Sequence, residues 1–234
     1  MSMVPDRVES VLRLSKRVIY LSWACCALGV LVSVFSGVEL SALRSLDSGG
    51  AYSWDADYID PTVSLIGGGI ALLQVVVFVV AGFLSLRWVY RANANAHCLN
   101  GHLEMSPGWN VGWFFVPVAA WWKPYEGLRD VWKISANPKD PASVELPRMF
   151  ASWWTFWLLT SIAGSISFRL QMRATTVSGA IFADALDILS SITLVPATYF
   201  FLAVVRDTTE KQEPFAVAGD RTGPSADMES GSSH

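Results

Sequence analysis

The chain has 234 residues, of which 52% are hydrophobic and only 16% charged. Soluble domains carry about 25% charged residues, so this composition excludes an ordinary water-soluble domain. A net charge of −3, with Lys and Arg scattered rather than gathered in a tract, excludes a nucleic-acid partner.

Four apolar runs, roughly 18–40, 63–86, 149–168 and 183–205, organise the sequence. Each has about 20 residues or more, enough at ~1.5 Å per residue to cross a ~30 Å hydrocarbon core. Residues 1–17 precede them as a basic tail. Arg13, Lys16 and Arg17 before an apolar run resemble the start of a leader peptide. The run exceeds the ~7–15 residues of a leader's apolar core, so it reads as a retained span.

Basic residues resist translocation and mark cytoplasmic loops. With four spans, Arg7, Arg13, Lys16 and Arg17 fall on one side. So do Arg87, Arg91, Lys123, Arg129, Lys133, Lys139 and Arg148 of the central loop, and Arg206, Lys211 and Arg221 of the tail. Arg44, Arg169 and Arg173 fall on the other. Letting the shorter run 109–122 cross as well would erase this asymmetry. The expectation is four spans in the cell (plasma) membrane with both termini cytoplasmic.

In the first span Cys25, Gly29, Ser33 and Gly37 recur every fourth residue, a ridge of small side chains that lets another helix approach closely. Cys25 and Cys26 are buried thiols there, and the three cysteines form no disulfide framework. The loop 41–62 is acidic, and Asp60-Pro61 reads as a helix cap with Pro at the first helical position. The second span contains one amide, Gln74, and should run on past Arg87-Trp88-Val89-Tyr90-Arg91 to about Leu99, where Asn100-Gly101 ends it.

The stretch 106–124 is broken by Pro107, Pro117 and Pro124 and carries Trp109, Trp113, Trp121 and Trp122. Proline removes a backbone donor, and indoles favour the water–lipid interface. A short re-entrant or interfacial segment is expected, entering from the cytoplasm without crossing. A cytoplasmic amphipathic helix should follow, with Tyr125, Leu128, Val131 and Trp132 on one face, ending at Asn137-Pro138. Trp153, Trp154 and Trp157 open the third span as an aromatic belt. The fourth holds Pro196 and, near its outer end, Asp184 and Asp187. An acid inside a span is a functional candidate, here set against a bland pairing of Asp187 with Arg169 or Arg173. The polar tail 206–234 should be disordered.

The stretch Arg87–Ser135 resembles a family of bacterial membrane proteins catalogued as domain of unknown function 4328. Trp88-Val-Tyr-Arg91-Ala with Asn95 carries the resemblance. So do Ser106-Pro107-Gly108-Trp109, Gly112-Trp113-Phe114-Phe115-Val116-Pro117, and Lys123-Pro124-Tyr125 running on to Trp132. With its flanking spans it covers about 10–210. The family often has Asn near position 120, where this chain has Ala120. The resemblance implies no catalytic residues. It makes Arg91, Asn95, Ser106, Pro107, Trp109, Gly112, Pro117, Pro124 and Trp132 a candidate functional segment, with Gln74 and Asp187 as candidate intramembrane polar groups.

No nucleophile, metal or phosphate-loop motif appears. His97, Cys98, His102 and Glu104 crowd together, but their spacing fits no closed zinc site. No cofactor and no enzymatic activity are expected. The fold class is therefore an all-α membrane protein: four transmembrane helices, the Pro/Trp-rich segment and the amphipathic helix. The expected role is a non-enzymatic scaffold, envelope or regulatory bundle; the alternative is a transporter or channel subunit acting as an oligomer. The expected partners are the lipid bilayer and either a second copy or another membrane protein.

Overall fold

A computed structural model describes residues 7–46, 61–173 and 177–221. Among these residues six α-helices follow one another: α1 Leu12–Leu46, α2 Pro61–Leu99, α3 Pro107–Gly112, α4 Lys123–Ala136, α5 Arg148–Gln171 and α6 Val177–Arg221. Single 3-10 turns occupy Trp113–Phe115, Ala119–Trp121 and Pro141–Ser143, and no strand occurs among the described residues. Among the described residues, three helical segments are long and apolar enough to cross a membrane: Leu12–Val34, Leu65–Leu99 and Ala185–Ala218. In α5, Trp153, Trp154 and Trp157 and the hydroxyls of Ser152, Thr155, Thr160 and Ser161 dilute the apolar character.

At ~1.5 Å per residue, the 39 residues of α2 and the 45 of α6 far exceed a ~30 Å hydrocarbon core. Each helix runs from an apolar stretch into a polar one, and the chain divides accordingly into two compact units. One comprises residues 20–81 and 151–200. The other comprises the described residues up to Ile19, Gly82–Phe150 and those from Phe201 onward.

In the first, apolar unit, α2 turns only a narrow stripe inward. Ile70, Gln74, Val77 and Ala81 are shielded at helical spacing, while Leu72, Leu73, Val75, Val76, Phe78, Val79 and Val80 are exposed. An apolar surface of that extent suits lipid rather than water. Of the small-residue ridge of α1, Cys25, Gly29 and Ser33 pack inside this unit, whereas a Cβ on Gly37 would meet nothing within 4 Å. A Cβ on Gly29 would stand 3.4 Å from Leu194 Cδ2 and 3.5 Å from Gln74 Nε2. Hydroxyls join α5 to α6: Thr160 bonds Thr193 at 2.8 Å, and Ser167 donates to the Ala183 carbonyl at 2.9 Å. Trp153 is buried, and Trp154 stacks on Trp157 at 4.8 Å.

In the second, polar unit, the end of α2 is enclosed: Trp88, Val89 and all of Ala92–Ala96 are buried. The amphipathic helix is α4, which buries Leu128, Val131 and Trp132 as its spacing predicts, and also Gly127, Ile134 and Ser135. It starts at Lys123-Pro124 and ends at Ala136, with Asn137 as its C-cap.

The disordered tail expected from residue 206 is corrected. Helix α6 continues to Arg221, and Thr208, Thr209, Gln212 and Ala216 are buried along it. Leu202, Val205, Thr208/Thr209, Gln212 and Ala216 form one continuous helical stripe whose later members are small or amidic rather than aliphatic. Residues 222–234 lie outside the described residues, as do the acidic stretch 47–60 and the cap expected at Asp60.

Candidate functional site: a buried amide clamp

The polar unit is organised around two buried amides, Asn95 on α2 and Gln212 on α6, each about 1% exposed. Asn95 Oδ1 accepts from Glu9 N at 2.9 Å, and Asn95 Nδ2 donates to Glu9 O at 2.8 Å. A side-chain amide thus pairs with both backbone groups of one residue, the exchange that neighbouring antiparallel strands make. The second Asn95 N–H donates to Gln212 Oε1 at 3.0 Å. Gln212 Nε2 in turn donates to the Ala92 carbonyl and to Ser135 Oγ, both at 2.9 Å. Ser135 Oγ donates to Val131 O at 2.7 Å. Every donor and acceptor of the two amides is used, the condition under which a buried polar network rigidifies its surroundings.

Other contacts extend the clamp. Arg91 Nη1 meets Glu9 Oε2 at 2.7 Å. Ser10 Oγ lies 2.8 and 2.9 Å from the two Glu213 carboxylate oxygens. Trp88 Nε1 donates to Thr209 Oγ1 at 3.1 Å. Trp132 Nε1 donates to Asp207 Oδ2, its ring meets Phe150 edge-on at 5.8 Å, and Lys211 Nζ sits 5.2 Å over it. The amino-terminal segment, α2, α4 and α6 are therefore fastened in hydrogen-bond register.

The candidate segment divides into two roles. Arg91, Asn95 and Trp132 belong to the clamp. Ser106, Pro107, Trp109, Gly112 and Pro124 shape the chain between α2 and α4. Ser106 caps α3 through its hydroxyl and Pro107 is its first residue; Pro124 opens α4. Trp109 packs on Trp113 at 4.9 Å, with Gly112 beneath its ring. Pro117 is exposed between the two 3-10 turns. Trp109, Phe115, Val118 and Trp121 are 56–71% exposed, an aromatic and aliphatic surface on short turns.

Asn110 lies inside this segment, and neither its Oδ1 nor its Nδ2 has a hydrogen-bond partner. It is fully buried, and a Cβ at Gly127 would stand 2.1 Å from its Oδ1. Asn93 Nδ2 and His97 Nε2 both bond the Met105 carbonyl at 3.1 Å, so His97 works in the chain reversal after α2.

In the apolar unit Gln74 Nε2 lies 3.5 Å from Cys25 Sγ, and Gln74 Oε1 is buried with no partner. Asp187 Oδ2 accepts from Ser33 Oγ at 3.0 Å, and Ser33 Oγ lies 2.6 Å from Ser191 Oγ. Its polar partner is therefore α1, not Arg169 or Arg173, both of which are exposed.

Gln212, Ser135, Thr209, Asn93, Asn110 and Glu9 were not among the residues singled out from sequence. A signal existed for Thr209 and Gln212, which continue the helical period of Leu202 and Val205. None existed for Glu9, whose backbone rather than side chain is gripped by Asn95.

No curated protein sequence and no solved structure matches the chain. The family model described as Domain of unknown function (DUF4328) matches residues 61–210. The match takes in Asn95, Asn110, Gly127, Trp132 and Ser135 and stops just short of Gln212. The matched region runs from the first residue of α2 to within α6, and the chain accordingly belongs to the DUF4328 family.

Proposed function

We propose that this protein is a four-span plasma-membrane protein whose amino-terminal segment, central region and carboxy-terminal helix share the cytoplasmic side. It acts there as a non-enzymatic scaffold or regulatory bundle. The clamp carries this reading. Glu9, Asn95, Ser135 and Gln212 lie in one hydrogen-bonded cluster, which supports putting the chain regions before α1, after α2 and late in α6 on the same side. Only an even number of crossings satisfies that. With α1, α2 and α6 apolar enough to cross, α5 supplies the fourth crossing.

Residues 106–124 form only the six-residue α3 and two 3-10 turns, too short to cross, and their exposed Trp109, Phe115, Val118 and Trp121 suit an interfacial position. The partner of such a bundle is a second copy or another membrane protein, held by the rigid polar unit.

A second reading, a transporter or channel subunit, is favoured by one observation: Asp187, Ser33 and Ser191 form a polar chain between two helices of the apolar unit. Flux measurements on proteoliposomes of the full chain separate the two. The scaffold reading expects no solute or ion flux. A flux abolished by Asp187→Asn would establish the transporter reading in its place.

A further inference from the structure

The clamp fixes the register of three long helices, and that register brings arginines to one level. Ser10 bonds Glu213, and Asn95 binds Glu9. From this level, moving away from the clamp, Arg17 lies seven residues beyond Ser10, as the sixth residue of α1, Arg87 eight residues back along α2, and Arg206 seven residues back along α6. At ~1.5 Å per residue all three stand about 10–12 Å from the clamp.

The fourth long helix, α5, joins through Trp132, which touches both Phe150 and Asp207. Arg148, the first residue of α5, lies two residues before Phe150, and Arg206 directly precedes Asp207, so both flank the Trp132 contact. All four arginines are exposed, and among the described residues none is paired with an acid. Asp207, the nearest acid in sequence, is committed to Trp132 and Lys211. One turn further along, exposed Tyr20 on α1 and Phe83 on α2 offer rings of the kind that sit at headgroup depth.

We propose that Arg17, Arg87, Arg148 and Arg206, one from each long helix, form a collar that binds the phosphate groups of anionic phospholipids in the leaflet on the clamp's side. A guanidinium presents a planar fork of donors matched to a phosphate, and four at one level face a ring of headgroups. The inference rests on the membrane reading above and adds to it a lipid class and the residues that select it.

The experiment uses the full chain in nanodiscs of phosphatidylcholine with a minority of phosphatidylglycerol, and native mass spectrometry to count the lipids retained. Retained lipid should be enriched in phosphatidylglycerol over the bulk ratio. Each single Arg→Gln change should lower the exchange constant at one lipid position about fivefold, and the fourfold variant should bring the ratio to the bulk value. Lys139→Gln, exposed elsewhere in the polar unit, should leave it unchanged. Retention at the bulk ratio by the wild type, or single variants indistinguishable from it, would overturn the collar. So would equal stabilisation of the detergent-solubilised chain by inorganic phosphate, which would assign the arginines to free anions. Failure of the membrane reading has a separate signature: release of the chain from membranes by alkaline carbonate.

Discussion

Replacing Gln212 by Leu removes the hub of the clamp while keeping side-chain volume near its native value. Three hydrogen bonds are lost: from Asn95 Nδ2, to the Ala92 carbonyl and to Ser135 Oγ. At a net ~1 kcal/mol for each neutral bond the loss is about 3 kcal/mol. One Asn95 N–H is also stranded in a site about 1% exposed, while the leucine recovers some apolar burial, so the expected cost is about 2–4 kcal/mol. Set against a typical total stability of ~5–15 kcal/mol, this is a local melting rather than global unfolding. Hydrogen exchange with mass spectrometry reads it directly: amides of 88–99 and 205–213 should exchange roughly 100-fold faster, with those of 155–170 unaffected. Glu210→Ala, an exposed neighbour on the same helix, is the control and should change nothing. Exchange in Gln212→Leu within twofold of wild type would refute the claim that the amides hold these segments together.

Gly127→Ala should destabilise the polar unit by about 1–3 kcal/mol through overpacking, because the new Cβ would stand 2.1 Å from Asn110 Oδ1 and 2.9 Å from Met105 Sδ. Thermal unfolding should show this, and adding Asn110→Ala should recover part of the loss. Trp132→Phe keeps a ring against Phe150 but loses the donor to Asp207 and weakens the seat of Lys211. Asp207 is about a third exposed, so solvent screening holds the cost to ~1.5 kcal/mol or less, and Asp207→Asn in the Trp132→Phe background should add little.

The parts of this fold legible in the sequence are those where a backbone rule acts alone. Asn100-Gly101 marks the end of α2 at Leu99, Pro124 marks the start of α4, and the spacing of Leu128, Val131 and Trp132 identifies the buried face of α4. The carboxy-terminal half of α6 was illegible by composition. Asp207, Glu210, Lys211 and Glu213 alternate with Thr208, Thr209 and Gln212, which reads as a solvated tail until tertiary partners bury the second set. Propensity and hydropathy weigh each residue by itself, whereas Gln212 is buried because Asn95, Ser135 and Ala92 together satisfy it. Asn95 stood out through the family's motif, but its target, the backbone of Glu9, lies 86 positions away and carries no side-chain signal.

Whether the clamp's segments share one side of the membrane is decided by single-cysteine labelling. In a background with Cys25, Cys26 and Cys98 replaced by Ala, cysteines are placed at the exposed positions Glu104, Lys139 and Glu210 and probed with a membrane-impermeant thiol reagent. All three should be shielded in intact cells and all three labelled in inside-out vesicles. Labelling of Lys139→Cys from outside with Glu104→Cys protected would make 106–124 a crossing segment. It would place α4 and the late part of α6 together on the outside, opposite Glu9 and the end of α2, and Asn95 could then not bond Gln212.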